Sequence, residues 1–390
     1  MSVNTMGIEQ AYLLVKELHE QATGRKVLTA VDGSNFISVA QATLQAGTEP
    51  LLNAISTVLT KSLIAVRGYN SKFGGLEYSA DRWGGITRKI NFADTDAVLN
   101  VEFALVDGAS VDQYTIKKPN VLETRYVGSD TWQGKYTLFQ DQLNTAFSGP
   151  EELASFFSGL MLHFDNEVEQ WIENMGRFLV ANLIGTLNVL GTGHVIHLLT
   201  EYNTDTGLSL TKTTVRQPAN YPAFIKWCYA RVEQISRMFT ERSQKFQQVI
   251  TGKPIMRHTP VEDQKIYLDA DMLSHIRSEV LSSTYNDSYL SLADTVGVNF
   301  WQNIDSPSAV NVKPVYIDAT GAVTVAGSAQ NVTDIAGVIF DRDCLGYNVK
   351  EDNLEYSPYN ADGRYRNMFR HLNYQYCQDV TEKAVLLLVD

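Results

Sequence analysis

Cysteine is scarce in this chain of 390 residues, and the three that occur, Cys228, Cys344 and Cys377, lie far apart. No pair has the close spacing of zinc ligands, and so few cysteines cannot form a disulfide framework. Neither device is therefore predicted to hold the fold. Apolar burial must do so instead, and the length and the 44% hydrophobic content are ample for a sizeable core.

Charge is also sparse, at 19% of residues where ~25% is usual. The balance is acidic, with 32 basic and 44 acidic side chains and a formal net charge of −12. Such a chain is a poor general binder of nucleic acid, because that affinity comes mainly from Lys and Arg at the phosphates. The one long uncharged stretch, residues 178–200, is interrupted by glycine, asparagine and histidine, so it does not predict a membrane span.

Catalytic motifs are equally few. Asp94 and Asp96 are the sharpest candidates, because an Asp-x-Asp pair resembles the phosphate-handling site of the haloacid dehalogenase class. That chemistry also needs magnesium, which a later acidic pair would hold, and no convincing motif of that kind follows. A hydrolase built on these two residues stays an alternative. The sequence predicts no catalytic residue, no cofactor and no metal site.

One helical pattern stands out against these absences. Ser148, Pro150 and Glu151 have the form of a helix start, and apolar residues then recur every three or four positions as far as Leu183. The pattern predicts a helix over about residues 150–185, roughly 50 Å long at 1.5 Å per residue. A helix of about three times the usual length is a structural strut.

The rest of the chain alternates between helical and strand-like patterns. Residues 1–62 favour short helices, over about 8–18, 36–44 and 51–59. Between Leu63 and Lys118 turn glycines and alternating apolar residues predict a long β-hairpin. The alternation is seen at Val101, Phe103 and Leu105 and, more briefly, at Tyr114 and Ile116. Later segments predict a helix over about 221–248, a strand at 266–268 with a helix at 272–281 after it, and strands at 312–318, 337–341 and 384–389.

Two regions carry opposite charge. Residues 61–92 hold six basic and two acidic side chains, net +4, whereas residues 150–177 hold six acidic and one basic, net −5. Asp165, Glu169 and Glu173 are four residues apart and share one side of the predicted helix, opposite its apolar stripe. Two solvated faces would explain this, and so would an interface between the two regions.

Basic and aromatic residues also alternate near the C-terminal end, around Arg364, Arg366 and Arg370. Such mixtures stack on bases and pair with phosphates, and they are equally common at the rims of protein interfaces. The three arginines are therefore candidate contacts to DNA or to another protein.

Several stretches carry a family resemblance, which covers roughly residues 117–390. The stretches are Lys118–Val121, Tyr136, Asp141–Phe147 leading into the long helix, Ile266–Asp271, Val338–Asp343, Asn360–Tyr365 and the closing apolar strand. Together they resemble the major capsid protein of tailed bacteriophages, which has the HK97-like fold, and are closest to the phi29-like podovirus proteins.

The resemblance implies an α+β fold with an assigned role for each region. Residues 1–62 would form a mostly helical N-terminal arm and 63–118 an extended hairpin called the E-loop. Residues 119–210 would form a peripheral domain that holds the long spine helix, 211–345 an axial domain, and 346–390 a return to the peripheral domain that ends in the closing strand.

The implied function is structural and not enzymatic. Copies of the chain, in hexamers and pentamers, would build an icosahedral or prolate virion shell around double-stranded DNA, in the host bacterial cytoplasm. The implied partners are portal and scaffolding proteins and the packaged DNA, held weakly and without sequence specificity; no membrane is involved. An encapsulin-type nanocompartment shell, which resembles the same fold, is the alternative.

In this family the E-loop of one subunit lies across the spine helix of a neighbour, which gives the opposite charges a purpose. We expect the basic hairpin to bind the neighbour's acidic row of Asp165, Glu169 and Glu173. The candidate interface residues on the hairpin are Arg67, Lys72, Phe73, Arg82, Trp83, Arg88 and Lys89.

Overall fold

The computed structural model describes the chain in thirteen segments: residues 8–24, 31, 35–45, 71–77, 86–94, 107–108, 114, 116, 118, 120–127, 130–139, 149–281 and 294–390. Their α-helices are α1 Ile8–Thr23, α2 Phe36–Gln45, α3 Pro150–Leu190, α4 Leu198–Thr206, α5 Lys212–Val215, α6 Tyr221–Thr240 and α7 Ala270–Ile276. None of these helices is long and apolar enough to span a membrane.

The β-strands of the described residues are β1 Ile86–Phe92, β2 Val121–Val127, β3 Asp130–Phe139, β4 Val195–His197, β5 Gln264–Asp269, β6 Asp294–Val298, β7 Val310–Val312, β8 Val315–Ile317, β9 Val323–Val325, β10 Gln330–Val332, β11 Ile335–Asp341, β12 Leu345–Tyr356, β13 Tyr365–Gln378 and β14 Ala384–Leu388. They form two larger sheets and three two-stranded ribbons.

The chain divides into two compact units. Unit 1 comprises Met1–Arg82, Ser129–Met175 and Asn348–Gln375, and unit 2 comprises Trp83–Gly128, Gly176–Tyr347 and Tyr376–Asp390. The long helix and strands β12 and β13 therefore contribute residues to both units.

Unit 1 is built on the three-stranded sheet β12–β13–β3. Strands β13 and β3 pair antiparallel over ten residues, from Tyr365 opposite Phe139 to Tyr374 opposite Asp130. The apolar residues that recur along α1 meet Phe36 of α2, Phe164 of α3 and Met368 of β13 in one buried cluster. The spacing of the apolar residues in α1 thus reflects its packing on this core.

Unit 2 is built on the five-stranded sheet β4–β14–β11–β5–β6. Strand β11 lies at its centre, antiparallel to both β14 and β5, and all seven of its residues are buried. Ile339 of β11 and Val385 of β14 pack in one cluster with the apolar face of α6. Continuous apolar sequence is what a strand covered on both faces requires.

The structure confirms several elements that the sequence predicts. The strut is α3, a helix of 41 residues that begins at Pro150 and runs five residues beyond the expected end. Helices α1, α2 and α7 and strands β5, β11 and β14 also lie where the patterns place them. The predicted helix at 51–59 and the strand residues Val101, Phe103 and Leu105 lie outside the described residues.

Two predicted boundaries are wrong for identifiable reasons. The helix expected over 221–248 ends at Thr240, where the buried Lys383 Nζ donates to the carbonyls of Met238 and Phe239 at 3.3 and 3.1 Å. The last carbonyls of a helix have no hydrogen-bond partner within it, and a cation at this position supplies one. The strand expected at 312–318 is two strands, β7 and β8, because Pro314 between them has no amide hydrogen to donate.

The predicted hairpin over residues 63–118 is described only in part and stays a prediction, but a two-stranded ribbon overlaps it. Its strands are β1 and β2, paired antiparallel from Ile86 opposite Val127 to Phe92 opposite Val121. Strand β1 lies within the predicted range, and β2 begins at Val121, three residues beyond Lys118. Tyr114 and Ile116, whose alternation suggested a strand, are instead exposed residues outside any strand.

Candidate assembly interface

The β1–β2 ribbon, called the stem below, has an exposed outer face on which an apolar patch lies at one end and the charged residues Arg88, Glu123 and Arg125 at the other. Ile90 and Phe92 of β1 are 52% and 63% exposed, and Val121, directly opposite Phe92 on β2, is 38% exposed. Residues two apart on a strand share a face, so Arg88 belongs to the same surface. It pairs with Glu123 of β2 at 2.7 Å, and this pair remains exposed to solvent.

The inner face of the stem carries the polar side chains of Lys89 and Asn91. Lys89 Nζ lies 3.0 Å from Asp379 Oδ2 and also contacts Glu382 Oε1. The Asp379 side chain is fully buried and the Glu382 side chain nearly so. Arg257 completes the cluster, since its Nη1 lies 3.1 Å from Glu382 Oε1 and donates to Asn91 Oδ1 at 3.0 Å.

The two carboxylates of this cluster shift in opposite directions: burial raises the pKa of Glu382 in spite of the nearby cations, whereas the pKa of Asp379 is lowered. Burial raises the pKa of Asp379, but the charge of Lys89 and hydrogen bonds from Thr381 outweigh it, so that the pKa is lowered. Burial likewise disfavours charged Lys89, and the carboxylates of Asp379 and Glu382 more than offset this and raise its pKa. Lys89 is therefore a cation beside an ionised Asp379 at neutral pH.

A second set of contacts holds the end of the stem. The Asp94 carboxylate accepts hydrogen bonds from Arg242 and from the amide of Met256, and its own amide donates to the carbonyl of Pro254 at 2.8 Å. Lys253 Nζ donates to the carbonyl of Val121 at 2.7 Å. Asp94, the candidate nucleophile of the hydrolase alternative, thus has structural partners.

The catalytic alternative gains no further support from the structure. Asp96 lies outside the described residues. Among the residues that the structure does describe, no group of three or more His, Cys, Asp or Glu side chains could hold a metal ion.

In unit 1 two glutamates of the predicted acidic row accept hydrogen bonds from residues of their own chain. Ser71 donates its amide to Glu169 Oε2 at 2.8 Å and its hydroxyl to Glu173 Oε2 at 3.2 Å. The amide of Lys72 donates to Glu173 Oε2 at 3.0 Å, and the next residue, Phe73, is buried. Backbone amides of residues 71–72 and the Ser71 hydroxyl are therefore among the partners of these two glutamates.

The third member of the row is buried as well. Asp165 Oδ1 lies 3.9 Å from Arg370 Nη1, and both side chains are less than 10% exposed. The inference that the row forms a solvent-facing stripe is therefore wrong for Asp165 and Glu173, because other segments of unit 1 pack over them. Glu169 remains half-buried.

The structure separates the three C-terminal arginines. Arg366 and Arg370 are buried on the inner side of β13, where Arg366 Nε donates to the carbonyl of Ser357 at 2.6 Å and Arg370 pairs with Asp352 at 2.6 Å. Neither is placed to contact DNA, which corrects that interpretation. Arg364 lies in the preceding turn, is exposed, and has a positive φ of 49°.

Among the predicted hairpin residues, Lys89 is engaged within its own chain and Arg88 is exposed. Arg67, Arg82 and Trp83 lie outside the described residues. The sequence analysis did not predict that the stem turns its polar residues inward and its apolar residues outward. The order Lys89, Ile90, Asn91, Phe92 carries the signal, because polar and apolar residues alternate there and successive residues of a strand point to opposite faces.

A family model for the Phi29-like phage major capsid protein matches residues 13–387. The chain belongs to this family. Its function is therefore structural: phage major capsid proteins associate with their own copies into capsomers and form the virion shell, and they are not enzymes. The family match favours this role over a nanocompartment shell or a hydrolase.

Solved structures agree on the fold. The chain is similar to "Capsid structure of Staphylococcus phage Andhra", at 12% identity and a TM-score of 0.55, over 84% of this chain and 86% of that one. It is also similar to "Structure of head fiber and inner core protein gp22 of native bacteriophage P68", at 12% identity and a TM-score of 0.53, over the same shares. No curated protein sequence matches. The mixed helix and strand architecture is consistent with the HK97-like fold.

Proposed function

We propose that this capsid protein encloses double-stranded DNA and that its shell closes when the stem of each copy lies against a neighbouring copy. The observation that carries this proposal is the exposed outer face of the stem, with Ile90, Phe92 and Val121. The opposite face of the ribbon is bound to the rest of unit 2 through Lys89 and Asn91. An apolar face on a ribbon that is already anchored from behind fits an interface with another protein.

The size of the patch suits reversible assembly. Burying an Ile or Phe side chain contributes about 1.5–3 kcal/mol relative to leaving it in water. One such contact is weak, but each subunit of a closed shell would make it with a neighbour. Many contacts of this strength sum to a stable particle through multivalency, while a misplaced subunit still dissociates.

The pairing of the basic hairpin with a neighbour's acidic row remains a prediction. Of the row, Glu169 keeps a half-exposed side chain, whereas Asp165 and Glu173 are buried within their own unit. We therefore expect Glu169 to receive a basic side chain of the neighbour's hairpin, with exposed Arg88 as one candidate. An exposed ion pair contributes only ~0–1 kcal/mol, so it would set the register of the contact more than its strength.

The remaining partners follow from the family and from charge. Hexamers and pentamers, a portal and a scaffolding protein, and assembly in the bacterial cytoplasm are what the resemblance implies. The net charge of −12 supports an inner wall that attracts the packaged DNA weakly, so that the DNA slides during filling and ejection. The division into N-terminal arm, E-loop, peripheral domain and axial domain belongs to the same proposal.

Replacing the apolar outer face tests the interface. We expect the variant Ile90→Ser with Phe92→Ser to fold as the wild type does, because both side chains are exposed, and to form far fewer closed particles in negative-stain electron microscopy. The matched control is Ile304→Ser, which removes an isoleucine that is 71% exposed elsewhere in unit 2.

Normal particle yield from the double variant would contradict the stem interface. Equal loss of particles in the Ile304→Ser control would also contradict it, since any exposed isoleucine would then serve. A wild-type chain that forms no particles, even with its scaffolding protein, would contradict the shell proposal itself.

A further inference from the structure

The stem depends on side-chain contacts for its position. A two-stranded ribbon is at best marginally stable alone, so its direction is set by what it is fastened to. In the part of the chain that the structure describes, Lys89 and Asn91 fasten the middle of β1 through Asp379, Glu382 and Arg257. These contacts lie on one face of the ribbon, opposite the apolar surface.

The carboxylates that receive Lys89 are themselves rigidly placed. Asp379 Oδ1 accepts from the amide of Thr381 at 3.0 Å and from its hydroxyl at 2.6 Å, and the Asp379 amide donates to the carbonyl of Cys344 at 2.7 Å. The segment leads directly into β14, a fully buried strand of the five-stranded sheet. Lys89 is thereby connected to the best-packed part of unit 2.

The cluster is more specific than an apolar contact would be. A partly buried lysine between two buried carboxylates forms both contacts only in a narrow range of positions, because each hydrogen bond has a preferred distance and angle. An apolar residue at position 89 would tolerate sliding and rotation of the ribbon on the sheet. The contacts of Lys89 with Asp379 and Glu382 therefore attach the stem and also fix its orientation.

We infer that the ion cluster of Lys89, Asp379 and Glu382 positions the stem for assembly. It sets the direction of the stem relative to the rest of unit 2, so that the apolar patch is presented to the neighbouring copy. The inference rests on the proposed function for its second half. Its first half, the fixing of the stem by the cluster, concerns the single subunit and does not require a shell.

Two adjacent lysine and arginine positions give a matched pair of variants. Lys89→Met removes the inward charge, and Arg88→Met removes a charge from the next residue on the outward face, where the side chain is 55% exposed. In hydrogen–deuterium exchange on the full-length subunit we expect Lys89→Met to speed exchange in β1 and β2 by at least about tenfold, since an ion partner is left buried and unpaired. Arg88→Met should leave these rates near those of the wild type.

The same experiment contains its own folding control. Amides in the N-terminal half of α6 should keep wild-type protection in Lys89→Met, because this half packs in the core cluster and lies at the opposite end of the helix from the carbonyls that Lys383, the neighbour of Glu382, contacts. Particle yield, counted under conditions in which the wild type assembles, should fall strongly in Lys89→Met. Arg88→Met is a control for exchange only, because Arg88 is itself a candidate contact to the neighbouring copy. Lys89→Arg, which retains the charge, should restore most of both the protection and the yield.

Each outcome decides the inference. Wild-type exchange of the stem in Lys89→Met would overturn it whether or not particles form, and so would a freed stem with normal particle yield. If α6 also loses protection, the milder Glu382→Gln variant takes its place and is judged by the same two readouts. A wild type that shows a protected stem but no particles would refute the proposed function and leave the stem's attachment to be decided by exchange alone.

Discussion

Strands β11 and β1 lie in the same unit and are each seven residues long, but they are stabilised in opposite ways. All of β11 is buried, between β14 and β5, and its apolar residues face the core on both sides. In β1 the apolar Ile90 and Phe92 face outward, while Lys89 faces inward to Asp379. The comparison shows that the apolar side chains of β11 stabilise the core of the subunit itself. Those of β1 remain available for contact with another copy of the chain.

The difference has a physical logic for a protein that assembles from its own copies. Single exposed apolar side chains are common on proteins, but several that adjoin on one face commonly mark a surface that a partner covers. If the stem were fixed by the same apolar residues, covering them with a neighbour would compete with folding. Attachment through ions leaves the apolar face uncommitted.

The largest effect should come from the same substitution made in the two strands. Ile339→Ala in β11 empties a fully buried site and should lower the free energy of unfolding by about 2–5 kcal/mol. Ile90→Ala in β1 removes an exposed side chain and should change it by about 0.5 kcal/mol or less. Urea denaturation of the two purified variants measures both values. Similar losses in the two variants would break the comparison, because Ile90 would then contribute to the subunit's own core.

A smaller effect should appear in the pH dependence of the free energy of unfolding, and it should arise next to the five-stranded sheet. Burial lowers the pKa of His194, whose carbonyl accepts from the amide of Leu386 in β14. The unfolded chain therefore binds a proton more readily than the folded one, and stability falls as the pH drops below about 6.5. The pKa of Asp379 is lowered from its ordinary value, so the contribution of the stem's ion pair persists until the pH falls below about 3.8.

Unfolding free energies measured at pH 7 and pH 5 test this assignment. The wild type should lose more stability over this range than His194→Gln, while Arg88→Met, which removes an exposed side chain of the stem, should lose as much as the wild type. An equal loss in the wild type and His194→Gln would show that another group is responsible.

The elements that the sequence predicts well are those whose cause is local. The apolar spacing between Pro150 and Leu183 is sufficient for α3, and the uninterrupted apolar run at 384–388 is sufficient for β14. Strand β13 was missed because Arg366 and Arg370 occupy inward positions, which hides its alternation. Their burial is explained by partners distant in sequence, such as Asp352, which no local pattern reveals.

The candidate site was harder to predict for the same reason. The charge difference between the hairpin and α3 is correct as a count, but it does not say which carboxylates are already used. Glu173 receives the amide of Lys72, about a hundred positions earlier in the chain, and Lys89 reaches Asp379, nearly three hundred positions later. Contacts at such separations are decided by the folded topology, and only the structure distinguishes an available charge from an occupied one.

Thiol labelling of the outer face of the stem tests the central claim most directly. All three native cysteines are buried, so the variant Ile90→Cys would carry the one thiol readily open to a maleimide in the folded subunit, and Ile304→Cys gives a matched control site. We predict that Cys at position 90 is labelled rapidly in the free subunit and is protected in assembled particles, whereas Cys at position 304 is protected less. Equal labelling of position 90 before and after assembly would show that no neighbour covers the stem and would contradict the account.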